Sequence, residues 1–220
     1  SVPELHSDEH QVKPAMVYVS NTTEIGTVYS KAELAALRAC CDQHGLLLFL
    51  DGARLGSALA CSDLTLPDYA ALTDAFYIGG TKNGALFGEA LVFSRPREDF
   101  RWYMKRRGAM LAKGRLLGVQ FQALLEDGAF LDAARHANAL ALRLRDGIAA
   151  QGYSLPVESP SNQQFPVLPN ETVRRLQELG YEFEIDHAVD GGHTQIRLVT
   201  SWATPERAVE DFLRDLASCK

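Results

Sequence analysis

The chain has 220 residues, 46% of them hydrophobic, which is enough for one sizeable core or for one large and one small lobe. Its net charge of −6 argues against a general nucleic-acid surface, and no apolar run is long enough to span a membrane. The four cysteines, Cys40, Cys41, Cys61 and Cys219, have no CxxC or metal-ligand spacing, so they read as reduced thiols of a cytoplasmic protein.

The first fourteen residues, SVPELHSDEHQVKP, are polar and start on serine, with no signal peptide visible; they read like the interior of a longer protein. Met16 to Ser20 is short and β-rich, a strand. Ser30 and Glu33 form a capping box, Leu34, Leu37 and Cys41 follow at helical spacing, and Gly45 stops the helix. Leu46 to Leu50 is continuously apolar, as in a strand buried on both faces, and ends at Asp51. Strand, helix, strand predicts a parallel sheet with a right-handed crossover. A loop and a short helix fill Ala53 to about Thr73, and Ala75–Ile78 and Ala90–Ser94 are strands close enough to be antiparallel neighbours.

Residues from Arg97 to Gly152 are mostly helical in pattern, with Leu140, Leu144 and Ile148 marking one buried stripe. The basic run Lys105 to Arg115 reads first as a solvated helix end and second as a phosphate site. Beyond Tyr153 the texture changes to prolines, serines and short extended segments, a second and smaller lobe. Tyr181–Ile185 and Gln195–Ser201 are its predicted strands, and its last helix has Thr204 as N-cap, Pro205 in the first turn and Val209, Phe212, Leu213 and Leu216 facing inward.

Two stretches carry chemistry. Asp51-Gly-Ala-Arg54 follows a buried strand directly, where open α/β sheets bind ligands. A turn-closing Asp–Arg ion pair is the equal alternative. In Tyr77-Ile-Gly-Gly-Thr-Lys82-Asn-Gly84 one lysine stands among glycines between apolar runs. The Walker motif fails because residue 77 is tyrosine. Asn83-Gly84 favours a plain hairpin, whereas Gly79 and Gly80 suit a close backbone approach to something bulky. A desolvated lysine is a nucleophile. A carboxylate and a lysine 31 positions apart, each at a strand end, together suit pyridoxal phosphate (PLP): the lysine bonds the aldehyde and the carboxylate keeps the pyridine nitrogen protonated. Arg54, and Arg197 in a small-lobe strand, are candidates for a substrate carboxylate, a surface arginine being the plainer reading of Arg197.

Across essentially its whole length the chain resembles the low-specificity threonine aldolases, within the β-eliminating lyase group of fold-type I PLP enzymes. The carriers are SNTTEIGTVYS (20–30), LFLDGARLGSAL (48–59), YIGGTKNGALFGEALVF (77–93), RRGAMLAKGRLLG (106–118) and IRLVTSW (196–202). The resemblance implies that Lys82 is the Schiff-base lysine, that Asp51 partners the ring nitrogen, and that Arg54 and Arg197 bind the substrate carboxylate. It implies an α/β large domain over 1–130, mostly parallel in its sheet and incomplete at its N-terminal side, then a small α+β domain over 131–220. Cleavage of L-threonine or L-allo-threonine to glycine and acetaldehyde follows, in a homodimer or homotetramer to which Lys105–Arg115 contributes. The family's phosphate-binding turn and ring-stacking histidine are not among these residues: none of His6, His10, His44, His136, His187 and His193 has that context, and the β-hydroxyl base is unassigned. The alternatives are a non-catalytic assembly chain and a PLP-dependent β-eliminating lyase for another amino acid. An incomplete large domain predicts exposed apolar sheet surface and self-association.

Overall fold

The structure is a computed structural model and describes residues 8–219; His6 lies outside the described residues. Strand β1 (Met16–Ser20), β2 (Leu47–Asp51), β3 (Ala75–Gly79) and β4 (Glu89–Phe93) form one sheet in that order. The first three run parallel and β4 returns antiparallel. Helix α1 (Lys31–His44) joins β1 to β2 with the capping box expected of its sequence. The Ser30 hydroxyl accepts the Glu33 amide at 3.2 Å and the Glu33 carboxylate accepts the Ser30 amide at 2.8 Å. Gly45, at φ 64°, ends the helix in a conformation that costs a β-carbon-free residue little. Two helices rather than one, α2 (Leu55–Cys61) and α3 (Leu66–Leu72), lie between β2 and β3; Thr65 and Asp68 give α3 its own capping box.

One face of this sheet is sealed. Leu48, Leu50, Phe76 and Ile78 pack with Leu34, Cys41, Leu55 and Tyr69 into a core that Phe121 and Phe130 extend. The other face is not, which corrects the expectation of a β2 buried on both sides. Leu47 on β2, Met16 and Tyr18 on β1 and Leu91 on β4 are all more than 40% exposed. The connecting helices bury the even-numbered positions of β2, and side-chain alternation leaves the odd ones facing outward.

Helices α4 (Phe100–Arg106) and α5 (Arg115–Glu126) lead into α6 (Ala129–Ala150). The expected division at 130/131 falls at the start of α6. Phe130 belongs to the first core, while Leu140, Leu144 and Ile148 pack in a second one with Leu168, Leu176, Ile196, Phe212 and Leu216. This second core lies under a small sheet in which β8 (His193–Val199) pairs antiparallel with β5 (Gln163–Gln164), β6 (Val167–Pro169) and β7 (Glu184–Ala188). Helices α7 (Asn170–Glu178) and α8 (Glu206–Ser218) complete it.

Several boundaries shift from the sequence-based ones by one or a few residues, β4 to Glu89–Phe93 and the start of β8 to His193 among them, and three shifts have a visible cause. Strand β7 begins at Glu184 rather than Tyr181, because the Tyr181 amide closes α7 by bonding Leu176 O at 3.0 Å and its hydroxyl reaches Asp215 at 2.8 Å. Strand β8 ends at Val199, where the Thr200 hydroxyl turns to Ala137 O at 2.6 Å. Thr204 does not cap α8: its hydroxyl accepts the Ser201 amide at 2.8 Å, and Pro205, extended at φ −76° and ψ 146°, stands just ahead of the helix.

Candidate active site

The end of β2 and the turn after β3 are built against each other through glycine. The Gly79 amide donates to Gly52 O at 2.9 Å. A β-carbon at Gly52 would lie 1.8 Å from Tyr77 O, and one at Gly79 would lie 2.4 Å from Ala53 O. Gly80 is also close-packed, with Gly88 O 2.7 Å from its would-be β-carbon. The space beside this glycine pair is filled by the chain's own backbone and neighbouring side chains.

After Gly80 the chain makes a single 3₁₀ turn, Thr81–Asn83, and Gly84 at φ 101° returns it to β4. Asn83 anchors the turn by donating to Phe130 O at 2.6 Å, and Glu89 accepts the Gly80 amide at 2.6 Å. Lys82 thus stands in the connection of an antiparallel strand pair, within electrostatic reach of Asp51. Although Lys82 is exposed, loss of hydration pushes its pKa below the ordinary lysine value, and the Arg54 guanidinium adds to this. Asp51, Glu24 and Glu89 oppose it without reversing it.

Asp51 and Arg54 form no ion pair among the described residues. The Asp51 carboxylate instead accepts the Tyr18 hydroxyl, the Tyr77 hydroxyl and, at 2.9 Å, the Ala53 amide. Burial pushes the Asp51 carboxyl up, but the two phenols, the amide and the charge of Lys82 outweigh it and hold the pKa below the ordinary range. The carboxylate is ionised at neutral pH, with no cation fixed on it.

Arg54 is half-buried, and its guanidinium makes no hydrogen bond or ion pair among the described residues. Burial first, and then the neighbouring Arg197, push its pKa down. Arg197 sits opposite Glu184 in the β7–β8 register and ion-pairs with it, while its buried Nε has no partner. Two guanidiniums that feel each other, one unpaired and one held by an exchangeable surface carboxylate, suit an incoming carboxylate.

The structure thus brings Asp51, Arg54 and Lys82 into electrostatic reach of one another, and Arg197 into reach of Arg54. It adds Tyr18, Tyr77, Glu24 and Glu184, which the sequence did not single out. Glu24 is presented by the β1–α1 loop, whose Gly26 carbonyl is tied to the Ser159 hydroxyl at 3.0 Å. The Lys105–Arg115 run is exposed along the end of α4 and the segment before α5, with Arg106 lying over the Tyr103 ring at 6.0 Å. His136 bonds Thr204 O at 2.8 Å, His187 bonds Asp186 and His193 bonds Asp190, all structural contacts.

A family model described as beta-eliminating lyase matches residues 4–190. The low specificity L-threonine aldolase of Pseudomonas aeruginosa is 36% identical over 215 residues, which are 95% of this chain and 61% of that protein. That of Saccharomyces cerevisiae is 29% identical over 72% of this chain and 40% of its own length. The solved structure of the threonine aldolase of Leishmania major superposes at a TM-score of 0.94 with 44% identity, over 98% of this chain and 64% of that one. A serine palmitoyltransferase from Sphingomonas wittichii, 16% identical, covers 100% of this chain and 58% of its own at a TM-score of 0.69, a likeness of fold alone. The chain spans about three fifths of the length of these first relatives.

Proposed function

The chain belongs to the beta-eliminating lyase family, and from that premise we propose that its chemistry is that of a PLP-dependent aldehyde-lyase of the threonine aldolase type, cleaving L-threonine or L-allo-threonine to glycine and acetaldehyde. The relatives' names support this substrate class. The single observation that carries the reading is the pairing of a depressed-pKa lysine, Lys82, with an ionised carboxylate free of any fixed cation, Asp51, on two abutting strand ends.

The residues fit the cofactor. Asp51 retains acceptor capacity for a protonated ring nitrogen, and Lys82 offers an amine that carries its proton less tightly than an ordinary lysine. When bound, PLP supplies the electron sink that the Cα–Cβ cleavage needs. Arg54 and Arg197 take the amino-acid carboxylate, Arg197 releasing Glu184 to do so; this fixes the substrate's orientation. Lys82, once free, is placed to hold or move a proton beside the reacting carbon.

The uncovered face of the β1–β4 sheet, with Trp102, Leu111, Leu116 and Val119 exposed on and between α4 and α5, supports assembly as a homodimer or homotetramer. The two hydrophobic cores support a large and a small domain meeting near residues 130/131. We place the protein in the cytoplasm on its free cysteines; no helix among the described residues is long and apolar enough to cross a membrane.

The experiment is to incubate the protein with PLP, reduce with borohydride and map the modified peptide, then to assay acetaldehyde release from threonine against pyruvate release from an aromatic or sulfur amino acid. Label concentrated on Lys82 with acetaldehyde as product supports the reading. Label scattered over surface lysines overturns the Lys82 assignment, and pyruvate in place of acetaldehyde makes the protein a β-eliminating lyase for another amino acid.

A further inference from the structure

Three aromatic rings cross the open face of the sheet below Asp51. Tyr18 on β1 lies in register with Phe49 on β2, and the rings stack at 5.5 Å with 14° between their planes. On β3, Ala75 and Phe76 are level with Phe49 and Leu50, so Tyr77 lies one step further on, level with Asp51; its ring centroid is 6.4 Å from that of Phe49. Phe49 therefore holds a phenol on either side, and both hydroxyls end on the Asp51 carboxylate.

The two carboxylate oxygens are not used alike. Oδ1 accepts the Tyr77 hydroxyl and the Ala53 amide, whereas Oδ2 accepts only the Tyr18 hydroxyl. A carboxylate offers about four lone-pair positions, two on each oxygen. Oδ1 is filled, and the remaining acceptor position is on Oδ2. With three donors already aimed at it, the group has no acceptor toward which to turn a proton of its own. What it can still take is a donor.

We propose that Tyr18 and Tyr77 are positioning residues for Asp51, selecting Oδ2 as the oxygen offered to a ligand and restricting that ligand atom to a hydrogen-bond donor such as a protonated ring nitrogen. The proposal rests on the reading of Asp51 as the ring-nitrogen partner. Packing alone does not account for the phenols: a phenylalanine at either place would keep the contact with Phe49 while losing the hydroxyl that ends on Asp51. Lys82 from the Thr81–Asn83 turn, Arg54 from the turn after β2, Glu24 from the β1–α1 loop and Glu89 from β4 are the charged groups around this cluster, and all stay in place in the variants below.

The test uses Tyr18→Phe, Tyr77→Phe, the double variant and Asp51→Asn. The Asp51 side-chain carboxyl is titrated by carbon NMR without cofactor, alongside the thermal midpoint as a check on folding. The midpoint of the carboxyl titration is expected to move up in each single variant and further in the double one. No movement in the folded double variant overturns the proposal. With PLP added, the nitrogen NMR shift of the ring reports its protonation: the double variant is expected to move it toward the neutral form, and Asp51→Asn to move it at least as far. A ring signal that ignores Asp51→Asn overturns the assignment of Asp51 to the ring, and the proposal with it. A signal that responds to Asp51→Asn but not to the double variant overturns the tyrosines' role alone.

Discussion

The amide of Gly79 and the carbonyl of Gly52, 27 positions apart in sequence, meet at 2.9 Å and bolt the turn that carries Lys82 to the turn that carries Asp51. Each residue is glycine because its neighbour's backbone occupies the space of a β-carbon. Neither contact has a flexible side-chain end that can yield, so the site's geometry depends on two missing methyl groups.

Gly79→Ala is therefore expected to destabilise the protein by about 1–3 kcal/mol through forced backbone displacement. It should also reduce PLP labelling of Lys82 in whatever fraction remains folded. A urea midpoint and the labelling stoichiometry measure the two effects on one sample.

Arg54→Met removes a positive neighbour of Lys82, the second cause of its depressed pKa after burial. The lysine should then hold its proton more tightly. The pH profile of amine acylation at Lys82 is expected to move to higher pH, with a several-fold slower reaction at neutral pH. A profile that stays in place would mean that burial alone sets this amine's reactivity.

Much of this site was legible because its members are isolated charges at the ends of apolar runs. Asp51 closes LLLFL, Lys82 interrupts two hydrophobic stretches, and the capping box at Ser30 and Glu33 announces α1 without help from tertiary structure. Tyr18 and Tyr77 were not legible. Only the register of three strands brings them to one carboxylate, and register is a long-range property that no local pattern encodes. The same limit applies to β2, whose uniform hydrophobicity reads as burial on both faces although only one face is covered. Thr204 misled for a different reason: its hydroxyl found a partner in the preceding turn, a local competition that Ser and Thr often settle away from the helix.

Asp68 offers a stability switch outside the site. Lys31 at 2.7 Å, then the Thr65 hydroxyl and amide, hold its carboxyl down to about 2. A carboxyl depressed in the folded state contributes its full stability above its unfolded pKa of about 4, and that contribution is lost as pH falls toward 2. Lys31→Met should raise the Asp68 pKa, lower the thermal midpoint slightly near neutrality and leave it unchanged near pH 2, so that its fall across that interval is flatter.

The exposed face of the sheet gives a further test. Leu47→Lys with Leu91→Glu places charges on two outward positions of β2 and β4 without touching the sealed core. If this face drives self-association, the double variant should sediment as a smaller species and bind less of an apolar dye than the native chain. An unchanged sedimentation profile would locate association elsewhere, with α4 and α5 the next surface to alter.

Asn138, buried on α6, exchanges two hydrogen bonds with Ser57 on α2: the Ser57 hydroxyl donates at 2.6 Å and the Asn138 amide returns to Ser57 O at 2.9 Å. Asn138→Ala leaves the Ser57 hydroxyl proton without its acceptor and is expected to cost about 1–3 kcal/mol. Chemical denaturation of this variant beside Ser57→Ala and the double variant would show a coupling between the two positions.

Helix α6 spans 22 residues, a rod of about 33 Å, with Phe130 in one hydrophobic core and Ile148 in the other. A rigid beam rooted in two foundations makes their melting interdependent: fraying at either end removes a wall from the neighbouring interior. Calorimetry should accordingly record one heat-absorption peak for the whole chain, and a core substitution such as Leu50→Ala, far from the small sheet, should lower the temperature at which that sheet dissolves as well.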